Sequence, residues 1–173
     1  MQHSHRKGNK GERRDDLAGE HKLGDRGQIV IACLFSAVWI SDSLFLNYST
    51  FPNQYMPLSF RIPIGITLLV LAAYLAARGL HIVFGEKRQE PAIIRKSVFG
   101  VVRHPIYLGE ILLYLGLLVL NMSLAALGVW IAAILFLHYI SRYEEKLLLG
   151  RFGEEYKRYM REVPMWLPLI RRR

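Results

Sequence analysis

Four runs of apolar residues, at about 28–46, 60–80, 105–120 and 124–141, leave this chain few ways to fold. Each is close to the roughly 17–25 residues that carry a helix across a bilayer, the third at the low limit. Charged residues make up 21% of the chain and are confined to a few stretches, against 52% hydrophobic residues. A soluble domain of this size would interleave the two at helical or strand spacing. The expectation is therefore an all-α integral membrane protein with four transmembrane helices, followed by a cytoplasmic C-terminal amphipathic helix and a cap segment.

Lysine and arginine set the orientation. Seven precede the first span, five lie between spans two and three, nine follow span four, and the 47–60 loop and the 121–123 turn carry none. Both termini are thus expected in the cytoplasm, because basic loops stay on that side. Asn121-Met122-Ser123 is so short that spans three and four must form an antiparallel hairpin. Residues 1–27 are polar, with Leu17 and Leu23 their only large aliphatics beyond Met1, and read as a disordered cytoplasmic tail with no signal peptide. Residues 28–173 form one domain. The net charge of +9 flanks the apolar runs. It points to topology and anionic lipid as partner, and not to nucleic acid. A lone Cys33 excludes an internal disulfide and any cysteine-based metal site, and no metal site is expected. Oligomeric state is not legible.

Arg142 to Arg161 reads as an amphipathic helix, with Leu147, Leu148, Phe152, Tyr156 and Tyr159 at three- and four-residue steps. Gly150 and Gly153 weaken it and suggest a break. Val163 to Pro168 reads as an extended closing segment with Trp166 as an interfacial anchor. Gly65, Ala72, Ala73, Ala76 and Ala77 read as helix-packing surface, and Asp42 as a structural cap or pair. Glu110, about one turn into span three, is a functional candidate because an acid inside a membrane is costly; pairing with Arg142 or a backbone donor is the competing reading.

Arg103-His104-Pro105-Ile106-Tyr107-x-Gly109 stands at the mouth of span three. Taken alone it suits an ordinary helix start, with Pro105 at the first helical position and its neighbours reaching for headgroups. Read with Glu144-Glu145-x-x-Leu148, then Phe152-Gly153-x-x-Tyr156-x-x-Tyr159, then Val163-Pro164 and Leu167-Pro168, it closely resembles the isoprenylcysteine carboxyl methyltransferase family, grouped with the phospholipid methyltransferases. The resemblance covers about residues 84–170. It implies a membrane methyltransferase using S-adenosyl-L-methionine, with the cofactor site formed by about 84–110 and 142–168. By that resemblance His104, Pro105, Ile106, Tyr107 and Glu144 contact the cofactor. So do Phe99, where tyrosine is usual, and Ile93 and Ile94, mainly through backbone.

The residue types suit that cofactor. A carboxylate such as Glu144 can accept from an ammonium or ribose hydroxyls, His104 or Arg103 can answer a carboxylate, and Tyr107, Phe99 and Phe152 offer faces for adenine or a sulfonium. Two departures from the family stand out. Its glycine before the Phe99 position is Ser97, and its substrate-engaging arginine falls at Ile140. Arg142, two residues on, is rotated by about 200° around a helix. The acceptor is expected to be lipophilic and to enter from the bilayer. A carboxylate, the isoprenylcysteine-like case, would be oriented by Arg103 or Arg142. An amine, as on a phospholipid headgroup, would need Glu110 or Glu145 to take a proton. The rivals are a sterol-type membrane reductase using NADPH and a non-enzymatic membrane adaptor.

Overall fold

The computed structural model describes residues 22–85 and 92–167, and every element among them is helical. The elements are α1 (Lys22–Ile40), running into a π-helical turn at Ser41–Leu46; α2 (Leu58–Phe84); α3 (Pro105–Asn121); α4 (Leu124–Phe152); and α5 (Glu154–Glu162), with single 3-10 turns at Phe51–Gln54 and Ser97–Gly100. Helix α1 begins at Lys22, so the end of the tail assigned to 1–27 is helical. Residues 1–21, the Pro91 end of the 84–110 segment and the basic C-terminus lie outside the described residues.

Among the described residues, three helices are long and apolar enough to cross a membrane: 26–46, 58–84 and 124–152. Their outward faces are apolar, with Val30 and Val70 each 64% exposed and Leu135 67%. Buried positions, by contrast, include Asp42, Arg61, His104, Ser123, Ser141 and Glu145. That inversion is what a lipid-facing surface requires. Helix α3, at 17 residues, is shorter; it would rise about 25 Å.

The broadest helix–helix contact is α2 against α3. Gly65, Ala72, Gly79 and Ile82 form its buried stripe on α2, while Ala73 and Ala77, expected in the packing surface, face outward. On α3, Gly109 lies against the backbone of Ala72 and Ala76, and Gly116 against Gly65. Small residues let the two backbones approach, which is how apolar helices gain dispersion contact when lipid is as apolar as they are. The α3 backbone is also tied sideways: Trp39 Nε1 donates to Leu117 O and Trp130 Nε1 to Ile111 O, each at 3.0 Å.

The end of the bundle away from the motif is sealed by Asp42. Its carboxylate accepts from Ser49 N at 3.0 Å and from the hydroxyls of Ser49 and Ser123 at 2.5 Å each. Ser123 also caps α4, accepting from Ala126 N. Arg61, buried on α2, donates to Asn53 Oδ1 and to Leu120 O. The structural role expected for Asp42 is thereby met.

At the motif end the structure departs from expectation. Helix α4 does not stop near 141; it continues unbroken to Phe152, and Gly150 causes no break. The chain turns at Gly153, whose φ of +54° is a left-handed value suited to glycine. The extra turns of α4 make a stiff post that carries Glu144 and Glu145 beyond the apolar stretch. Helix α5 folds back and buries Tyr156, Tyr159 and Val163 against Ile93, Leu148, Leu149, Phe152 and Met160. Trp166, expected as an interfacial anchor, lies edge-on to the His138 ring of α4, centroids 5.6 Å apart.

Candidate cofactor site at the mouth of helix α3

Pro105 opens α3 and His104 is its N-cap, so the motif residues fan out from one helix end toward the α4 post. The hairpin brings together residues some forty positions apart. Tyr107 donates its phenol to Glu144 Oε1. The His104 ring stacks parallel on Tyr107, with centroids 5.6 Å apart and planes 3° apart. His104 Nδ1 lies 3.6 Å from Glu144 Oε2, and Nε2 lies 3.4 Å from Glu145 Oε1. The latter approach is misaligned, and Nε2 is a buried polar atom with no hydrogen-bond partner.

Arg103 is committed to its own protein. Its Nε and Nη2 donate to Glu145 Oε1 at 2.8 and 2.7 Å, and Nη1 donates to Met160 O at 2.9 Å and Val163 O at 2.5 Å. The side chains are 8% and 2% exposed respectively. The backbone N–H groups of Arg103 and His104 donate to Pro164 O and Met165 O, so residues 163–165 lie as a strap along the entry to α3. Tyr159 OH donates to Phe99 O at 2.6 Å, and Arg95 bonds Glu162 and Glu155 O while covering the Tyr159 ring. These bonds fasten α5 onto the 92–104 segment.

The other expected site residues fall in three places. Ile93 joins the cluster under α5, and Ile94 lines, with Ala92, Arg95 and Lys96, a cleft of about 330 Å³. Pro105 and Ile106 sit against Gly79 of α2, and Phe152 packs in the α5 cluster. Glu110 does not meet Arg142; it accepts from Tyr114 OH at 2.7 Å, one turn deeper in α3. Arg142 is 56% exposed with Nη1 3.4 Å from Glu145 Oε2, and Ile140 is buried.

Glu145 is the buried partner of Arg103, a pairing that sequence reasoning did not make. The structure shows its part: the buried Arg103 needs a buried counter-charge, and the hairpin brings Glu145 to it.

Burial holds His104 below its ordinary pKa of 6.5, with Arg103 adding to the shift and Glu145 opposing it. Burial likewise pushes the phenols of Tyr156 and Tyr159 up. His104 is therefore neutral at neutral pH. The unfolded chain takes up this proton first, so the stability that neutral His104 contributes is complete above pH 6.5 and lost as pH falls through the lowered value. Thermal melts from about pH 8 to about pH 5 should lose stability more steeply in the wild type than in His104→Gln. Equal slopes would show that this imidazole does not titrate on unfolding.

A bundle of lipid-facing helices that gathers imidazole, phenol and two carboxylates at one end defines a membrane protein with a built polar site. The model of the phospholipid methyltransferase family matches residues 60–155, and the chain belongs to that family. It is similar to protein-S-isoprenylcysteine O-methyltransferase of Schizosaccharomyces pombe, 25% identical over 158 residues, covering 82% of this chain and 64% of that protein. It is also similar to methanethiol S-methyltransferase of Crocosphaera subtropica, 27% identical over 145 residues, covering 83% of this chain and 48% of that protein. The chain thus spans between about half and two thirds of these relatives' length. No solved structure matches it. The resemblance read from the motifs is borne out.

Proposed function

We infer that this protein is a membrane methyltransferase that uses S-adenosylmethionine and methylates a lipophilic acceptor reaching the site from the bilayer. The observation that carries the reading is the convergence of His104, Tyr107 and Glu144 across the α3–α4 hairpin. The residues fit the cofactor's chemistry. Glu144 is held by Tyr107 yet keeps 16% of its side chain exposed, His104 Nδ1 lies beside it at 3.6 Å, and His104 Nε2, on the Glu145 side, is buried with no hydrogen-bond partner. The names of both relatives support methyl transfer.

When bound, S-adenosylmethionine supplies an electrophilic methyl on a sulfonium centre. Glu144 accepts from its ammonium or ribose hydroxyls, and neutral His104 offers one ring nitrogen without adding a like charge beside the sulfonium. Arg103 and Glu145 hold the strap over this end, so that positioning and exclusion of water carry most of the rate. In this reading α3 is a fourth span, and both ends of the chain face the cytoplasm, as the Lys and Arg distribution favours.

Calorimetry of the purified protein with S-adenosylhomocysteine tests the reading, with NADPH as the competing ligand. Binding is expected, and Glu144→Ala should weaken it by about 10- to 100-fold, the worth of one or two hydrogen bonds to a charged group. Absence of binding at about millimolar ligand, or binding of NADPH instead, would sink it.

A further inference from the structure

Beyond the mouth of α3, Tyr107, Glu110 and Tyr114 recur at three- and four-residue steps and so lie along one face of the helix. Tyr107 ends at Glu144, and Tyr114 OH donates to Glu110 Oε1. Tyr114 itself is buried, stacked on Phe35 of α1 at 4.3 Å. The face is therefore a polar stripe that descends about 10 Å from the mouth into an apolar bundle. Glu110 takes a single hydrogen bond, on Oε1; among the described residues its Oε2 takes none. A membrane helix keeps such an acid only at a cost.

The cations tell the complementary story. Below the mouth, α3, residues 62–77 of α2 and the apolar stretches 28–46 and 124–141 contain no Lys or Arg. On α2, Arg61 is engaged at the far end by Asn53 and Leu120 O, and Arg78 is exposed next to Gly79 at the level of the mouth. Arg103 spends its guanidinium on Glu145 and the carbonyls of Met160 and Val163. Arg95 is engaged by Glu162 and Glu155. Arg142 stands outside, reaching Glu145, and Ile140 is apolar and buried. At the depth of Glu110, a carboxylate acceptor would meet an acid and, among the described residues of these four helices, no Lys or Arg.

We propose that Glu110 is the group that receives the acceptor's proton, and that the acceptor is a lipophilic molecule whose nucleophilic atom carries one: a thiol or an amine, not a carboxylate. This rests on the methyltransferase reading above. The S–H or N–H proton passes to Glu110 Oε2, and the lone pair on the acceptor's sulfur or nitrogen forms the bond to the methyl carbon. The methyl's bond to the sulfonium sulfur breaks, its electron pair stays on that sulfur, and the adenosyl product leaves neutral at sulfur. Tyr114 positions the carboxylate through Oε1.

The test measures methyl transfer from radiolabelled S-adenosylmethionine to dodecanethiol, phosphatidylethanolamine and N-acetyl-S-farnesylcysteine, which separate thiol, amine and carboxylate. Wild type should methylate the thiol or the amine and leave the carboxylate at background. Glu110→Gln should lower that transfer by about 100-fold or more and abolish the rising acid limb of its pH profile. Its affinity for S-adenosylhomocysteine should stay within about twofold, because the cofactor contacts are untouched. Preferred transfer to the carboxylate by wild type would overturn the proposal even if Glu110→Gln failed to fold. So would undiminished thiol or amine transfer by Glu110→Gln, or no transfer to either by a wild type that binds S-adenosylhomocysteine. Failure of wild type to bind S-adenosylhomocysteine would instead strike the parent reading.

Discussion

Replacing Arg103 by alanine should destabilise the protein by about 3–5 kcal/mol and release the 163–165 strap. The side chain is 8% exposed, and its guanidinium makes contacts with Glu145, Met160 O and Val163 O. Its removal strands a buried carboxylate and leaves two carbonyls without this donor, and each loss is costly in a site with little water. The two strap bonds from the backbone of Arg103 and His104 would remain, but with nothing anchoring the carbonyl of Val163 beside them. S-adenosylhomocysteine affinity should fall along with stability, although Arg103 is not expected to touch the cofactor. The double variant Arg103→Met with Glu145→Leu removes both charges, and should be more stable than Arg103→Ala while remaining defective in ligand binding. Unfolding followed in detergent micelles, with calorimetry on each variant, checks this. An Arg103→Ala protein of wild-type stability would show that the Arg103–Glu145 pair does not hold the strap.

That variant also marks where the sequence was legible. The spans at 60–80 and 124–141 lie inside α2 and α4, because a run of apolar residues in a chain this segregated has few other options. The hairpin was legible because a three-residue turn allows no alternative. The meeting of Tyr107 with Glu144 followed from that hairpin and from the family motif. Arg103 was read as substrate-facing because charge is visible in a sequence and its saturation is not. Only the placement of Met160 and Val163 carbonyls within reach of Nη1 decides it. Likewise, the amphipathic pattern of 142–161 was correct in kind but did not locate its break. Gly150 and Gly153 look alike as letters; only Gly153 sits where the backbone turns left-handed. The side chains of Pro105 and Ile106 were read with the pocket-facing motif, yet Gly79 on α2 opens a notch that takes them.

A second large effect is expected at Gly109. A Cβ there would stand 3.0 Å from Ala72 O and 3.3 Å from Ala76 N, both backbone atoms of α2 that no rotamer change can move. Gly109→Ala should therefore cost about 1–3 kcal/mol by overpacking, despite the roughly 0.5–1 kcal/mol that alanine ordinarily gains over glycine inside a helix. Gly109→Leu must push α3 off α2 altogether. Gly128 on α4 is the control, because a Cβ there meets nothing within 4 Å. Gly128→Ala should be neutral or slightly stabilising, which isolates steric contact from helix propensity. The functional consequence at Gly109 should exceed the loss of stability. Helix α3 carries His104 and Tyr107 on its first turn, whereas Glu144 rides on α4. A shift of about 1 Å between those helices breaks the Tyr107–Glu144 bond and misplaces the site without unfolding the bundle. At a temperature where Gly109→Ala remains folded, S-adenosylhomocysteine affinity should drop by about tenfold or more, one hydrogen bond to a carboxylate. Undiminished affinity in a folded Gly109→Ala would mean that the cofactor contacts do not depend on the register of α3 against α2.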